Sequence, residues 1–136
     1  MKMFLSLTLF VMSTIVFASG GYKVITSHPM EIYDSGSIEE AMNFSQQWKE
    51  KVLLKNQNIL DVEYLLNKES DRRYELLVIY SYQDKDSALL ANQQMGILID
   101  KAWPDKSERQ AFFTKLQSYV VQEEKVTRSY DVIVNH

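Results

Sequence analysis

An α+β domain, with an antiparallel four-stranded sheet covered by helices on one face, is the fold class this sequence predicts. Three observations carry the prediction. Four segments are rich in β-branched and aromatic residues, and helical stretches with apolar spacings of three and four lie between them. The order along the chain is strand, helix, strand, strand, broken helix, strand, a split βαβ arrangement of the ferredoxin-like kind.

Each element has its own warrant. Tyr22–Ser27, "YKVITS", reads as the first strand, and His28-Pro29 interrupts it before "MEIYD" continues extended. Pro29 has no amide hydrogen for a ladder, so that stretch belongs at an edge, a bulge or a strand end. Ser37 and Glu40 make a capping box in which each satisfies the other's amide. The helix they open sets Ile38, Ala41, Met42, Ser45, Trp48 and Val52 on one stripe and ends near Asn56. Residues 58–67 are the second strand, 68–73 a polar hairpin, and Tyr74–Tyr82 the third strand. Asp84 caps a helix carrying Ala88, Leu89, Met95, Leu98 and Ile99, and Pro104 breaks it after Trp103. Asp105 through Glu108 cap a further helix with Ala111, Phe112, Leu116, Tyr119 and Val120 on its apolar face, and residues 125–134 close the sheet.

The first twenty residues stand apart. Lys2 is their one charge, an apolar run from Met3 to Phe17 follows, and Val16 and Ala18 are small residues at the −3 and −1 positions of a cleavage site. Residues 1–18 therefore read as a secretory signal peptide, cleaved after Ala18, and the mature protein is expected in the periplasm or secreted, free of the membrane. Residues 19–136 form a single domain, long enough to bury about two-thirds of its unfolded surface. Without Lys2 the chain holds 14 basic and 18 acidic residues, and this mild acidity argues against nucleic acid. The chain has no cysteine and 2 histidines, which excludes disulfides, thiolate nucleophiles and lipid anchoring through cysteine, and leaves no basis for a metal site.

A sheet wet on one side alternates apolar and polar residues. Leu76-Leu77-Val78-Ile79, Ile59-Leu60, Leu65-Leu66 and Val132-Ile133-Val134 do not alternate, so both faces of the sheet are expected to be covered. Helices cover one. A second copy packed through the other sheet face, closing a two-chain barrel, is the expected remedy, because apolar side chains left open form the kind of patch monomers avoid.

This pattern resembles the dimeric α/β-barrel superfamily, in particular its antibiotic-biosynthesis-monooxygenase-like domains, over about Tyr22 to Val134. Gly36 looks like the glycine between strand one and helix one of that family; residues 58–92 resemble its strand–hairpin–strand unit and following helix, "SERQAFFTKLQSYV" its late helix and "VTRSYDVIV" its last strand. Where that family often has a tryptophan ending strand three this chain has Tyr82, and where it often has a histidine early in the next helix this chain has Asn92. Asn92 neither ligates haem iron in the usual way nor acts as a base, which counts against haem degradation.

In such a fold a ligand lies between helices and sheet. Tyr74, Tyr80 and Tyr82 share one parity, Arg128 and Tyr130 share another on the last strand, and Trp48 offers a wall. With Asn92, these residues would suit a flat, partly polar aromatic ligand; the alternative is that the rings simply fill the core. His28 is the natural candidate for a proton shuttle, but beside a proline it is expected to be exposed; Asp61, Glu63 and Glu75 could act as general acids or bases if buried, but are expected to be solvated rim charges. No glycine loop, nucleotide fingerprint or Ser-His-Asp set is present, and no cofactor is expected. The expected function is an exported dimer binding a small aromatic or apolar molecule; the alternative is cofactor-independent monooxygenase or isomerase activity on such a compound.

Overall fold

The computed structural model describes residues 21–121 and, as backbone, residues 130–133. The signal peptide, Arg128 and Val134 lie outside the described residues. Three long strands, β1 (Tyr22–Glu31), β2 (Asp61–Lys68) and β3 (Arg73–Tyr82), carry the sheet, and the four-residue β4 (Tyr130–Ile133) joins it. All pairs are antiparallel in the order β2-β3-β1-β4, the ferredoxin-like arrangement. Helices α1 (Ile38–Lys51), α2 (Lys85–Ala102) and α3 (Lys106–Gln117) complete the domain, with a 3₁₀ turn at Leu53–Lys55. Among the described residues no helix is long and apolar enough to cross a membrane.

The strand around Pro29 corrects the sequence reading. β1 runs unbroken through His28-Pro29 and pairs with β3 along its whole length. The Pro29 carbonyl accepts from the Val121 amide, and the Glu31 amide donates to Tyr119 on the same side. Within a strand, a residue's N and C=O point the same way, so the missing hydrogen of Pro29 faces away from β3 and costs that ladder nothing.

All three predicted N-caps form. The amides of Glu40, Ser87 and Glu108 donate to the side chains of Ser37 (3.1 Å), Asp84 (2.7 Å) and Asp105 (2.9 Å). The reciprocal half of the first capping box does not form. The Glu40 carboxylate accepts from the Tyr119 hydroxyl and pairs with Lys115 at 3.1 Å, tying the start of α1 to the end of α3. The Tyr119 hydrogen bond, then Lys115, hold the Glu40 carboxyl below its usual range. Gly36 owes its place to the same contact, since a β-carbon there would meet the Tyr119 ring at 2.7 Å.

The main core joins Met30, Val62, Tyr64, Leu76, Val78 and Tyr82 of the sheet to Ala41, Met42 and Ala91 of the helices. The predicted stripe of α1 holds, with Ala41, Met42, Ser45 and Val52 buried. Leu89 and Ala111 depart from prediction and are exposed, because α2 and α3 pack along narrower faces centred on Ala91 and Phe112. Asn56, 2% exposed, clamps the turn after α1 to α2: its Nδ2 donates to the Ala91 carbonyl at 2.9 Å and its Oδ1 accepts from the Asn58 amide at 3.1 Å. Removing that amide strands buried partners, so Asn56→Ala should cost about 1–3 kcal/mol in urea unfolding. Gln57→Ala, at the exposed neighbour, should stay within about 0.5 kcal/mol.

Candidate functional site

The register divides the sheet into two faces. Tyr82, Tyr80, Val78, Leu76 and Tyr74 of β3 lie opposite Tyr22, Val24, Thr26, His28 and Met30 of β1, and Val62, Tyr64 and Leu66 of β2 share their parity. This is the face the helices cover. Coverage is uneven along it. Met30, Leu76 and Val78 are at most 5% exposed, whereas Tyr22, Val24, Thr26, His28 and Tyr80 stay partly open. Burial on this face is deepest at Met30, Val62, Leu76, Val78 and Tyr82 and partial along β1 from Tyr22 to His28.

Three aromatic rings lie together at one end of this face. Tyr80 stacks on Tyr82 with centroids 6.3 Å apart and planes 17° apart, and Tyr22 lies 6.3 Å from Tyr82 at 45°. Next along β1, Thr26 Oγ1 is 2.9 Å from His28 Nε2. Burial, reinforced by repulsion from Tyr82, pushes the Tyr80 phenol up to about 12, against which the nearby Thr26 hydroxyl acts. Burial likewise lowers the His28 imidazole below its ordinary value. Both groups are therefore neutral near pH 7.

The predicted site residues separate into groups. Tyr80 and Tyr82 come together as expected. Tyr74 shares their face but sits eight residues along the strand, about 26 Å away, opposite Met30. Trp48 belongs to a second aromatic cluster between the helices, stacked on Trp103 at 6.4 Å and 8° and edge-on to Phe113 at 5.7 Å. Asn92 is exposed on α2, because its neighbour Ala91 takes the inward position. The Tyr130 backbone pairs with Ile25, a residue of the other parity, and Arg128 lies outside the described residues.

Thr26 is what the sequence reading missed, and His28, weighed there as a proton shuttle but expected to be exposed, is half-buried. Their parity with Tyr22 and Val24 was a usable signal, discarded because Pro29 was taken to break the strand. Tyr64 has a structural place: its hydroxyl donates to the Ser45 carbonyl at 2.8 Å inside the core. Asp61, Glu63 and Glu75 lie on the other sheet face, where Glu75 accepts from Ser27 at 2.6 Å. A surface hollow of about 440 Å³ lies along α3, lined by Lys106, Arg109, Phe113 and Gln117 among others. Among the described residues no group of His, Asp and Glu could hold a metal ion, and no buried side-chain nitrogen or oxygen lacks a partner.

No protein-family pattern matches the chain, and no curated protein is similar to it in sequence. Some solved structures are similar to the chain. The chain is similar to a mutant of SnoaB, a cofactor-independent oxygenase from Streptomyces nogalater, at 10% identity and a TM-score of 0.47, over 87% of this chain and 96% of that one. It is similar to a conserved protein from Methanosarcina mazei at 15% identity and a TM-score of 0.44, over 82% and 90% of the two chains. A dimeric protein of unknown function and ferredoxin-like fold from Bacteroides fragilis is 17% identical with a TM-score of 0.42, over 84% and 98%. The class assignment itself rests on the strand order of this chain.

Proposed function

We propose that the protein is an exported homodimer that binds a small aromatic or apolar molecule against the partly buried β1 side of the inner sheet face. One observation carries the reading: Tyr22, Tyr80 and Tyr82 form a contiguous aromatic row beside the polar Thr26–His28 pair, on a face that the helices leave partly open. Aromatic walls with a few placed polar groups are the usual make-up of a small-molecule site.

The homodimer is supported by the outer sheet face. Ile25 lies opposite Ile79, and Leu77 lies opposite both Ser27 and Leu65; among the described residues none of these belongs to the cores packed under the helices. Isologous packing of two such faces would remove this apolar surface from water. Export is supported by the layout of residues 1–18.

Native mass spectrometry of the protein purified from its own host tests the reading. The expected spectrum is a dimer whose subunits begin at Ser19 and carry a reproducible extra mass. A bare dimer would move the function to assembly alone, and a monomer retaining residues 1–18 would defeat both the export and the dimer proposals.

A further inference from the structure

We propose that the outward face of α2 is a second self-association surface, on which two copies of this chain pair their α2 helices antiparallel. This surface is separate from the outer sheet face proposed above, because α2 belongs to the helix layer that packs on the inner face.

One stripe of α2 is complementary to itself when turned end over end. Asp86, Leu90, Gln93, Ile97 and Lys101 follow at spacings of four, three, four and four, which keeps them on one side of the helix. All five are exposed, Leu90 at 49% and Ile97 at 60%, because Ala91 marks the opposite, buried side. An acid stands at one end and a base at the other, one aliphatic residue lies inside each, and an amide holds the middle. A two-fold axis near Gln93 sets Asp86 against the partner's Lys101, Leu90 against the partner's Ile97, and Gln93 near its own copy. Parallel pairing would instead bring like charges together at both ends.

The surroundings leave both charges available. No described residue forms an ion pair with Asp86 or Lys101. Asp100, the acid next to Lys101, is held by Arg109 and so does not cancel the lysine. Lys85, the base next to Asp86, stands about 100° round the helix from it. Gly96 adds a steric observation. Nothing lies within 4 Å of where its β-carbon would stand, so no contact inside the domain requires a glycine there, although glycine inside a helix is unfavourable. A close partner helix gives it a use, since the missing side chain lets two backbones approach. Leu89, 55% exposed and seven residues before Gly96, stands on the same side, where the pairing brings it over the partner's glycine.

The contact is weak and reversible. Leu89, Leu90 and Ile97, each about half exposed, fall well short of the about 800 Å² per partner of a standard stable interface. At the dilution of sedimentation or native mass spectrometry it is dissociated, and it joins copies only where the protein is concentrated. With the sheet face already paired, the same contact would link one dimer to the next.

The chain has no cysteine, so a disulfide formed by one introduced cysteine must join two copies. Concentrated protein is oxidised with copper phenanthroline and read by non-reducing electrophoresis. Gln93→Cys should give a covalent dimer at least about tenfold faster than Gln46→Cys, at an exposed position of α1, because pairing holds its two sulfurs together. Asp86→Cys alone should not cross-link to itself, whereas a mixture of Asp86→Cys and Lys101→Cys should form the mixed dimer. Lys101→Asp added to Gln93→Cys should slow cross-linking at least about fivefold, since the two-fold axis turns two attractions into two repulsions. Adding Asp86→Lys to that protein should restore the rate. Gly96→Gln should slow cross-linking without lowering the unfolding temperature. The Gln93→Cys cross-link should persist when Ile79→Asp is added, whether or not the sheet face pairs, and its loss there would overturn a separate surface. Cross-linking of Gln93→Cys no faster than Gln46→Cys, self-cross-linking of Asp86→Cys, or indifference to Lys101→Asp overturns the antiparallel pairing. So does a Gln93→Cys disulfide to a protein of another mass, in place of the dimer, when the variant is expressed in its own host.

Discussion

Trp103→Ala is expected to destabilise the domain by about 3–5 kcal/mol, the range for removing a large aromatic side chain from a packed core. Trp103 is 5% exposed and sits where the three helices meet. Its ring stacks on Phe112 at 4.3 Å, lies 5.8 Å from Phe113 and faces Trp48 at 6.4 Å, while Lys51 Nζ sits 5.2 Å from its centroid. Its amide also closes α2 by donating to the Ile99 carbonyl at 3.0 Å, immediately before Pro104 ends the helix. The substitution keeps that backbone bond, so the loss should come from the cavity. Trp103→Phe should cost visibly less. Urea unfolding followed by far-UV circular dichroism gives both values. Near-UV dichroism gives an independent check, because the near-parallel Trp48–Trp103 pair should contribute a coupled signal that vanishes in Trp103→Ala. A loss below about 1 kcal/mol would mean that the three helices do not meet around this ring.

Ile79→Asp is expected to convert the proposed dimer to monomer. Ile79 is central on the outer face, opposite Ile25 on one side and Glu63 on the other. A two-fold interface would place the substitution twice, so two unpaired carboxylates would be desolvated together, next to the existing Glu63 pair. A penalty of about 3 kcal/mol or more corresponds to a dissociation constant raised by at least about 100-fold. Sedimentation velocity across a concentration series reads the change directly. Asp61→Ala, at the exposed rim of the same face, should leave the dimer intact. A natural protein that sediments as a monomer would remove the proposal, and so would an Ile79→Asp dimer of unchanged affinity.

The outer face shows how far residue order alone can carry an argument. Apolar residues at both parities of β3 were legible as two apolar faces, and the register sets Leu76 and Val78 inward and Leu77 and Ile79 outward. The caps at Ser37, Asp84 and Asp105 were legible for a similar reason: capping acts within three residues, and short-range geometry is written in short-range sequence. The site was less legible. Tyr74 shares parity with Tyr80, yet parity does not measure distance along a strand. Trp48 shares a stripe with core residues, yet a stripe does not say which partner each member meets. Asn92 was placed by analogy with a family position, and a shift of one residue against Ala91 turned it outward.

By itself, then, the sequence determined the element order, the three helix starts, the helix break at Pro104 and the inner face of the sheet, all of which follow from local hydrogen bonding and periodicity. Tertiary structure decided what depends on residues far apart in the chain. It let β1 run through Pro29, because the proline's empty position faces the segment at 119–121 and not β3. It took Glu40 from its capping box, because Tyr119 and Lys115 arrive from α3. It brought Thr26 and His28 beside Tyr80, because strands distant in sequence pair in this register. A hydrogen bond between neighbours in sequence is set by backbone geometry alone; one between distant residues exists only once the chain has paid the entropy of bringing them together.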